Sequence, residues 1–181
     1  MGRTPSDRPG EGPPEHGPGP VVRPAAPADA ALVLALIREL AEYERLADEV
    51  DATEAMIVAA LFGENPRAFC DLAEWGGEAA GFALWFYSFS TFRGRHGIYL
   101  EDLFVRPARR GRGIGRALFA GLARRCVAEG LPRLEWSVLD WNEPALGFYR
   151  RLGAEAKDGW TVHRLSGAAI EALAAGPRTP V

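Results

Sequence analysis

A nearly continuous apolar run, Ile98–Val105, leads through Arg106-Pro-Ala-Arg-Arg into Gly111-Arg-Gly-Ile-Gly115, and from there into an amphipathic stretch ending near Glu129. A run this apolar suits a strand covered on both faces. Only Glu101 and Asp102 interrupt it, and ionisable groups are costly in such a strand. Ile114, Leu118, Leu122 and Cys126 recur at helical spacing and form the inner stripe of a helix from about Gly113 to Glu129. Between strand and helix, closely spaced glycines permit a tight turn and close approach of a ligand to the backbone. The free N–H groups at the helix start point outward as anion donors. Arg109, Arg110, Arg112 and Arg116 add charge suited to phosphates. The unit therefore reads as a phosphate-binding turn; its plain alternative is a Gly-rich connector with a solvated arginine cluster.

The rest of the chain supplies elements on either side. Residues 1–20 are dominated by Gly, Pro and charge and are expected to be a disordered tail, since they cannot bury enough apolar area to offset ordering. Val21–Arg23 predicts a short strand, with Asp29 a candidate cap for a helix carrying Leu32, Leu36, Leu40 and Tyr43 to about Leu46. Thr53 caps a second helix that ends near Gly63. Ala68–Trp75 and Glu78–Phe89 flank Gly76-Gly77 and predict a hairpin. Thr91–Gly97 reads as a loop and Arg133–Leu139 as a strand. A helix follows from Asn142 to Gly153, then a last strand, Trp160–Leu165, and a short Ala-rich helix. The order is β-α-α-β-β-β-α-β-α-β, an α/β architecture with a mixed sheet. One domain over residues 21–175 is expected, with 176–181 a flexible C-terminus.

Composition narrows the function. Of 181 residues, 48% are hydrophobic, enough for a real core, and the net charge of −3 gives no reason to expect nucleic acid as a partner. No run approaches the roughly 20 apolar residues of a membrane span, and the N-terminus has no apolar secretory stretch, so a cytoplasmic protein is expected. Cys70 and Cys126 are far apart and read as reduced thiols, with a disulfide the alternative. His16, His96 and His163 are scattered, so no metal site is expected.

Three known phosphate turns compete for Arg110–Gly115. A Walker loop needs a Gly-Lys-Ser/Thr ending, which is absent. A dinucleotide fingerprint fails at Arg116 when counted from Gly111 and at Leu118 when counted from Gly113. The Arg/Gln-x-x-Gly-x-Gly/Ala signature of the GNAT acyltransferases is met by Arg110, Gly113 and Gly115. The resemblance extends from about Val21 to Leu173. Within that superfamily the chain resembles the spermidine/spermine (diamine) acetyltransferase branch. It does so through Arg38-Glu-Leu-Ala-Glu-Tyr-Glu44, Tyr99–Val105, Arg110–Gly115, Val138-Leu-Asp-Trp-Asn-Glu-Pro144 and Phe148-Tyr-Arg-Arg-Leu-Gly-Ala154. The Leu-Asp-Trp-Asn form is closer to thialysine-acetylating relatives, and the loop before Tyr99 is one residue longer than in the polyamine enzymes.

The resemblance implies a single-domain, mostly antiparallel GNAT sheet flanked by helices, acetyl-CoA as acyl donor, a homodimer, and acetylation of a small-molecule amine. Diamines, polyamines, thialysine and lysine-like amino acids are the candidate acceptors. The rivals are a peptide or protein amine acetyltransferase and a non-catalytic acyl-CoA-binding module. Alkylamines have a pKa of about 10.4 and arrive charged, so the site must accept a proton and hold a cation. Glu101 is the candidate base, and burial is expected to raise its pKa. Strict alternation sends Asp102 to the opposite face, where it is structural; a β-bulge, which the resemblance implies here, turns both acids toward one cleft. The bulge also frees backbone groups of Leu103, Phe104 and Val105 for the pantetheine arm. Arg110, Gly111, Arg112, Gly113, Ile114, Gly115 and Arg116 are expected to hold the diphosphate. Tyr149 reads by spacing as an aromatic core residue, and by resemblance as the donor of a proton to the departing thiolate. Asn142 bonds the cofactor or caps its helix. Tyr43 and Glu44 line the amine cleft, or else end a solvated charged run. Cys126 has no base near it in sequence, so direct transfer in a ternary complex is expected, without an acyl-enzyme.

Overall fold

Gly76 and Gly77 both adopt positive φ, 64° and 80°, and reverse the chain between β2 (Phe69–Trp75) and β3 (Glu78–Ser90). Left-handed backbone at two consecutive positions matches the right-handed twist of a hairpin, which is why a Gly-Gly pair sits there. In the computed structural model, which describes residues 19–176, this hairpin is the middle of a five-stranded sheet. The order is β1 (Val21–Pro24), β2, β3, β4 (Arg95–Val105) and β5 (Leu134–Trp136). Every pairing is antiparallel except β4 with β5. The sheet is thus mixed and mostly antiparallel, as expected.

Helices α1 (Ala30–Glu44) and α2 (Glu54–Phe62) cover one face. Val33, Leu34, Leu36 and Leu40 of α1 and Ile57 and Leu61 of α2 pack with Cys70, Leu72, Phe82 and Phe104 in one buried cluster. Thr53 caps α2 by accepting the Met56 amide. Asp29 does not cap α1. It accepts the Ala26 amide across a short 3-10 turn and pairs with Arg23 at 2.7 Å, since the arginine on β1 lies within its reach. Helix α3 (Ile114–Glu129) lies on the other face, with Ile114, Leu118, Leu122 and Cys126 buried as the stripe predicts.

The chain divides into two compact units, one running to Ser137 and one from Val138. Within the second, α4 (Glu143–Arg151) starts where the Asn142 side chain accepts the Ala145 amide, and Gly153 follows it at φ 83°. A short α5 (Ala168–Ala174) comes later.

Three further sequence expectations are corrected. Trp160–Leu165 is not a strand: β-prone residues need a ladder partner, and the regular elements in the described part of the second unit are both helices. The strand expected over Arg133–Leu139 is confined to Leu134–Trp136, where β4 is available to pair. The loop at Thr91–Gly97 shrinks to a turn, because Arg95–Gly97 pair with Ser88–Ser90. The expected disordered tail lies outside the described residues except for its last two positions, and the expected flexible C-terminus except for Gly176.

Candidate active site

The site begins with a slip in the β3–β4 ladder. Leu84 faces Asp102 and the next residue, Trp85, faces Leu100, so Glu101 is an extra residue with no partner on β3. A one-residue bulge reverses which side chains point to which face. Before it, Ile98 and Leu100 share the face of Trp85, on which Arg125 of α3 stacks at 4.7 Å. After it, Asp102 and Phe104 share the face of Phe82 and Leu84, under α1 and α2. Unbroken alternation would have kept all four on one face. β5 pairs only with Ile98–Leu100, so no strand flanks Glu101–Val105 on that side among the described residues. Just past the bulge that edge of β4 has no strand partner among the described residues.

The bulge separates the two acids by environment. Glu101 is exposed, contrary to the expected burial, because an unpaired bulge residue is not sandwiched between helices. Asp102 is the carboxylate taken into the protein. Loss of water raises its pKa to about 6, and the negative charges of Glu101 and Glu44 add to the rise. Glu44, half-buried at the end of α1, is also pushed up, by desolvation. Helix α1 stops there because Arg45 turns left-handed at φ 64° and Leu46 N–H bonds back to Ala41 O at 2.8 Å. Glu44, Glu101 and Asp102 together make an acidic site with the chemistry to hold an ammonium group.

The turn after β4 is built by its glycines. Gly111 and Gly113 have φ of 76° and 78°, and nothing stands within 4 Å of where a Cβ would be at either. Glycine is needed there for the backbone conformation, and the space beside it is open to a ligand. Gly113 O accepts the Ala117 amide as the first bond of α3, so the amides of the first turn have no carbonyl within the helix to reach. This geometry fits a diphosphate.

The arginines divide by partner. Arg106 grips Glu39 of α1, with Nη2–Oε1 at 2.7 Å and Nε–Oε2 at 2.9 Å, and donates to Ala79 O at 2.8 Å. Arg109 pairs with Glu78. Arg110 donates from Nε to Val105 O at 3.0 Å and lays its guanidinium on the Tyr43 ring at 4.4 Å. Arg112 sits over the Trp75 ring at 5.5 Å. Arg116 is exposed on the first turn of α3. Sequence reasoning took these side chains as one phosphate-seeking cluster and missed Arg106, Glu39 and Glu78, which anchor the turn to α1 and the hairpin.

The remaining candidates lie elsewhere. Asn142 is buried and meets the capping alternative. Tyr149 is half-buried on α4, 5.5 Å ring to ring from Phe148. Both belong to the second unit. Cys70 and Cys126 are buried free thiols whose pKa values burial raises, Cys70 to about 12, so neither is a ready nucleophile.

A mixed sheet with a bulged strand, followed by a glycine turn and helix, is the arrangement expected of an acyl-CoA-dependent transferase. Residues 33–154 match the model of the acetyltransferase (GNAT) family. The chain is 39% identical to the thialysine N-epsilon-acetyltransferase of Bos taurus over 85% of its own length and 96% of that protein. It is 27% identical to an L-ornithine N5-acetyltransferase of Arabidopsis thaliana, covering 84% and 86%. Among solved structures it resembles an integron cassette protein from the mobile metagenome of V. cholerae, with a TM-score of 0.73, 25% identity, and coverage of 87% and 99%. This chain belongs to the GNAT acetyltransferase family and is an N-acetyltransferase. No helix among the described residues is long and apolar enough to cross a membrane.

Proposed function

We propose that the enzyme acetylates the terminal primary amine of a small cationic acceptor, a diamine, polyamine, thialysine or lysine-like amino acid, by direct transfer from acetyl-CoA. The observation that carries this reading is the bulge at Glu101, which leaves one carboxylate exposed beside the open strand edge and turns Asp102 under α1, where the charge of Glu44 reaches it. Three acids suit a cationic acceptor, and relatives named for thialysine and ornithine acetylation support an acceptor of that size and charge.

Bound acetyl-CoA supplies an acetyl thioester. The Gly111–Arg116 amides and side chains would hold its diphosphate, and the backbone of Leu103–Val105 would hold the pantetheine arm. Asp102 and Glu44 keep the ammonium group at the site. Glu101 accepts its proton, directly or through water, so that the neutral nitrogen can attack. Tyr149, assigned from the family resemblance, would give a proton to the sulfur as the C–S bond breaks. The proton shed by the nitrogen on becoming an amide would replace it, and Asn142 fixes the start of the Tyr149 helix. The buried, unactivated thiols support transfer without an acyl-enzyme.

A cytoplasmic homodimer belongs to the same reading. Free cysteines suit a reducing compartment, and exposed Trp160, Val162 and Leu173 offer apolar area for a second copy. Turnover of acetyl-CoA against a panel of spermidine, putrescine, thialysine, lysine, ornithine and a lysine peptide tests the acceptor. Turnover of the peptide alone would overturn it.

A further inference from the structure

Tyr43 and Glu44 are adjacent at the end of α1, yet their surroundings differ. Glu44 lends its charge to the acidic site at Asp102. The Tyr43 ring carries a cation already, the Arg110 guanidinium at 4.4 Å. Arg110 is fixed from its other end, because Nε donates to Val105 O at 3.0 Å. Two anchors thus hold one exposed arginine where β4 ends and the glycine turn begins. Tyr43 is itself half-buried and packs against the α1–α2 cluster, so the ring is a firm support. An incoming ammonium group on that ring would meet the guanidinium as a like charge.

We infer that Tyr43 is a positioning residue for the cofactor rather than a contact for the amine: its ring holds Arg110 at the mouth of the diphosphate turn. The inference rests on the proposed reading of that turn as the acetyl-CoA site. Losing the ring lets Arg110 swing, and the cost falls on acetyl-CoA affinity. A surface cation–π contact of this kind corresponds to a factor of about 2–5 in binding.

The test is titration of the full-length enzyme with CoA, alongside KM for acetyl-CoA and for the best amine of the panel. Tyr43→Leu is expected to raise the Kd for CoA about fivefold and leave the amine KM within twofold. Tyr43→Phe, which keeps the ring, recovers most of the lost affinity. In an Arg110→Ala background Tyr43→Leu adds nothing further. A rise in amine KM with unchanged CoA affinity would overturn the inference, as would an undiminished effect in the Arg110→Ala background. If Arg110→Ala itself leaves CoA binding untouched, the reading of the turn fails first. Should Tyr43→Leu not fold, Arg110→Lys serves, since it keeps the charge but gives up the flat stacking face. The same weakening of CoA is then expected, and unchanged affinity overturns the inference.

Discussion

Asp102 on β4 stands directly across from Leu84 on β3, although Leu100, only two residues earlier, stands across from Trp85. The residue left over is Glu101. One unpaired position thereby separates an exposed carboxylate from a half-buried one and ends the strand's pairing with β5 at the same place. The site follows from that slip.

Removing the Glu101 carboxylate while keeping its shape isolates its chemical role. Glu101→Gln is expected to lower kcat by about 10²–10⁴, the usual worth of a positioned general base. Because Glu101 is exposed, the melting temperature should stay within a degree or two. A large fall in Tm would instead mark the residue as structural.

Asp102 trades stability for charge. Its pKa rises from 3.8 to about 6 on folding, so the folded state holds the proton more tightly than the unfolded chain. The stabilising effect of that proton is full below about pH 4 and is lost as pH rises through 6. Asp102→Asn should therefore stabilise the protein at pH 7–8, on the order of 1–3 kcal/mol, and by much less near pH 4. Urea titrations of the two proteins at both pH values check the sign. If the Asp102 charge holds the acceptor, amine KM in the wild type should rise as pH falls through about 6, and Asp102→Asn should flatten that profile.

Gly81 faces Val105, and an added Cβ would run into the Phe104 carbonyl oxygen, a backbone atom with little room to yield. Gly81→Ala must push β4 off β3 at the end that leads into the glycine turn. It is expected to destabilise by roughly 1–3 kcal/mol as overpacking does, and to raise acetyl-CoA KM more than amine KM. Chemical denaturation and steady-state kinetics read the two effects separately.

Gly113→Ala tests the turn. At φ 78° an alanine costs about 1–2 kcal/mol of local strain, with no clash to add to it. The expected result is weaker CoA binding with a modest loss of stability. Unchanged CoA affinity would place the diphosphate elsewhere.

What could be read from the sequence was local. The Gly76-Gly77 hairpin, the Thr53 and Asn142 caps and the strand–turn–helix around Gly111–Gly115 all depend on neighbours a few residues away, and the structure reproduces them. The faces of Asp102 and Glu101 depend on how β4 registers against β3; spacing alone reads Ile98, Leu100, Asp102 and Phe104 as one face, and only the family resemblance pointed to the bulge in the ladder. Trp160–Leu165 has strand composition but, among the described residues, no strand to pair with in its unit. Arg109, Arg110 and Arg112 looked interchangeable, because Glu78, Tyr43 and Trp75, which hold them, are remote in sequence. Gly81 carried a usable signal, since a glycine inside a strand run often marks a close backbone approach.

Acetyl-CoA turnover by the wild type and Glu101→Gln, followed by thiol release over the amine panel, tests the central claim most directly. The account predicts turnover of one or more small cationic amines by the wild type, and loss of most of that rate in Glu101→Gln with CoA affinity preserved. Wild-type binding of CoA with no amine consumed, or a Glu101→Gln enzyme as fast as the wild type, would contradict it.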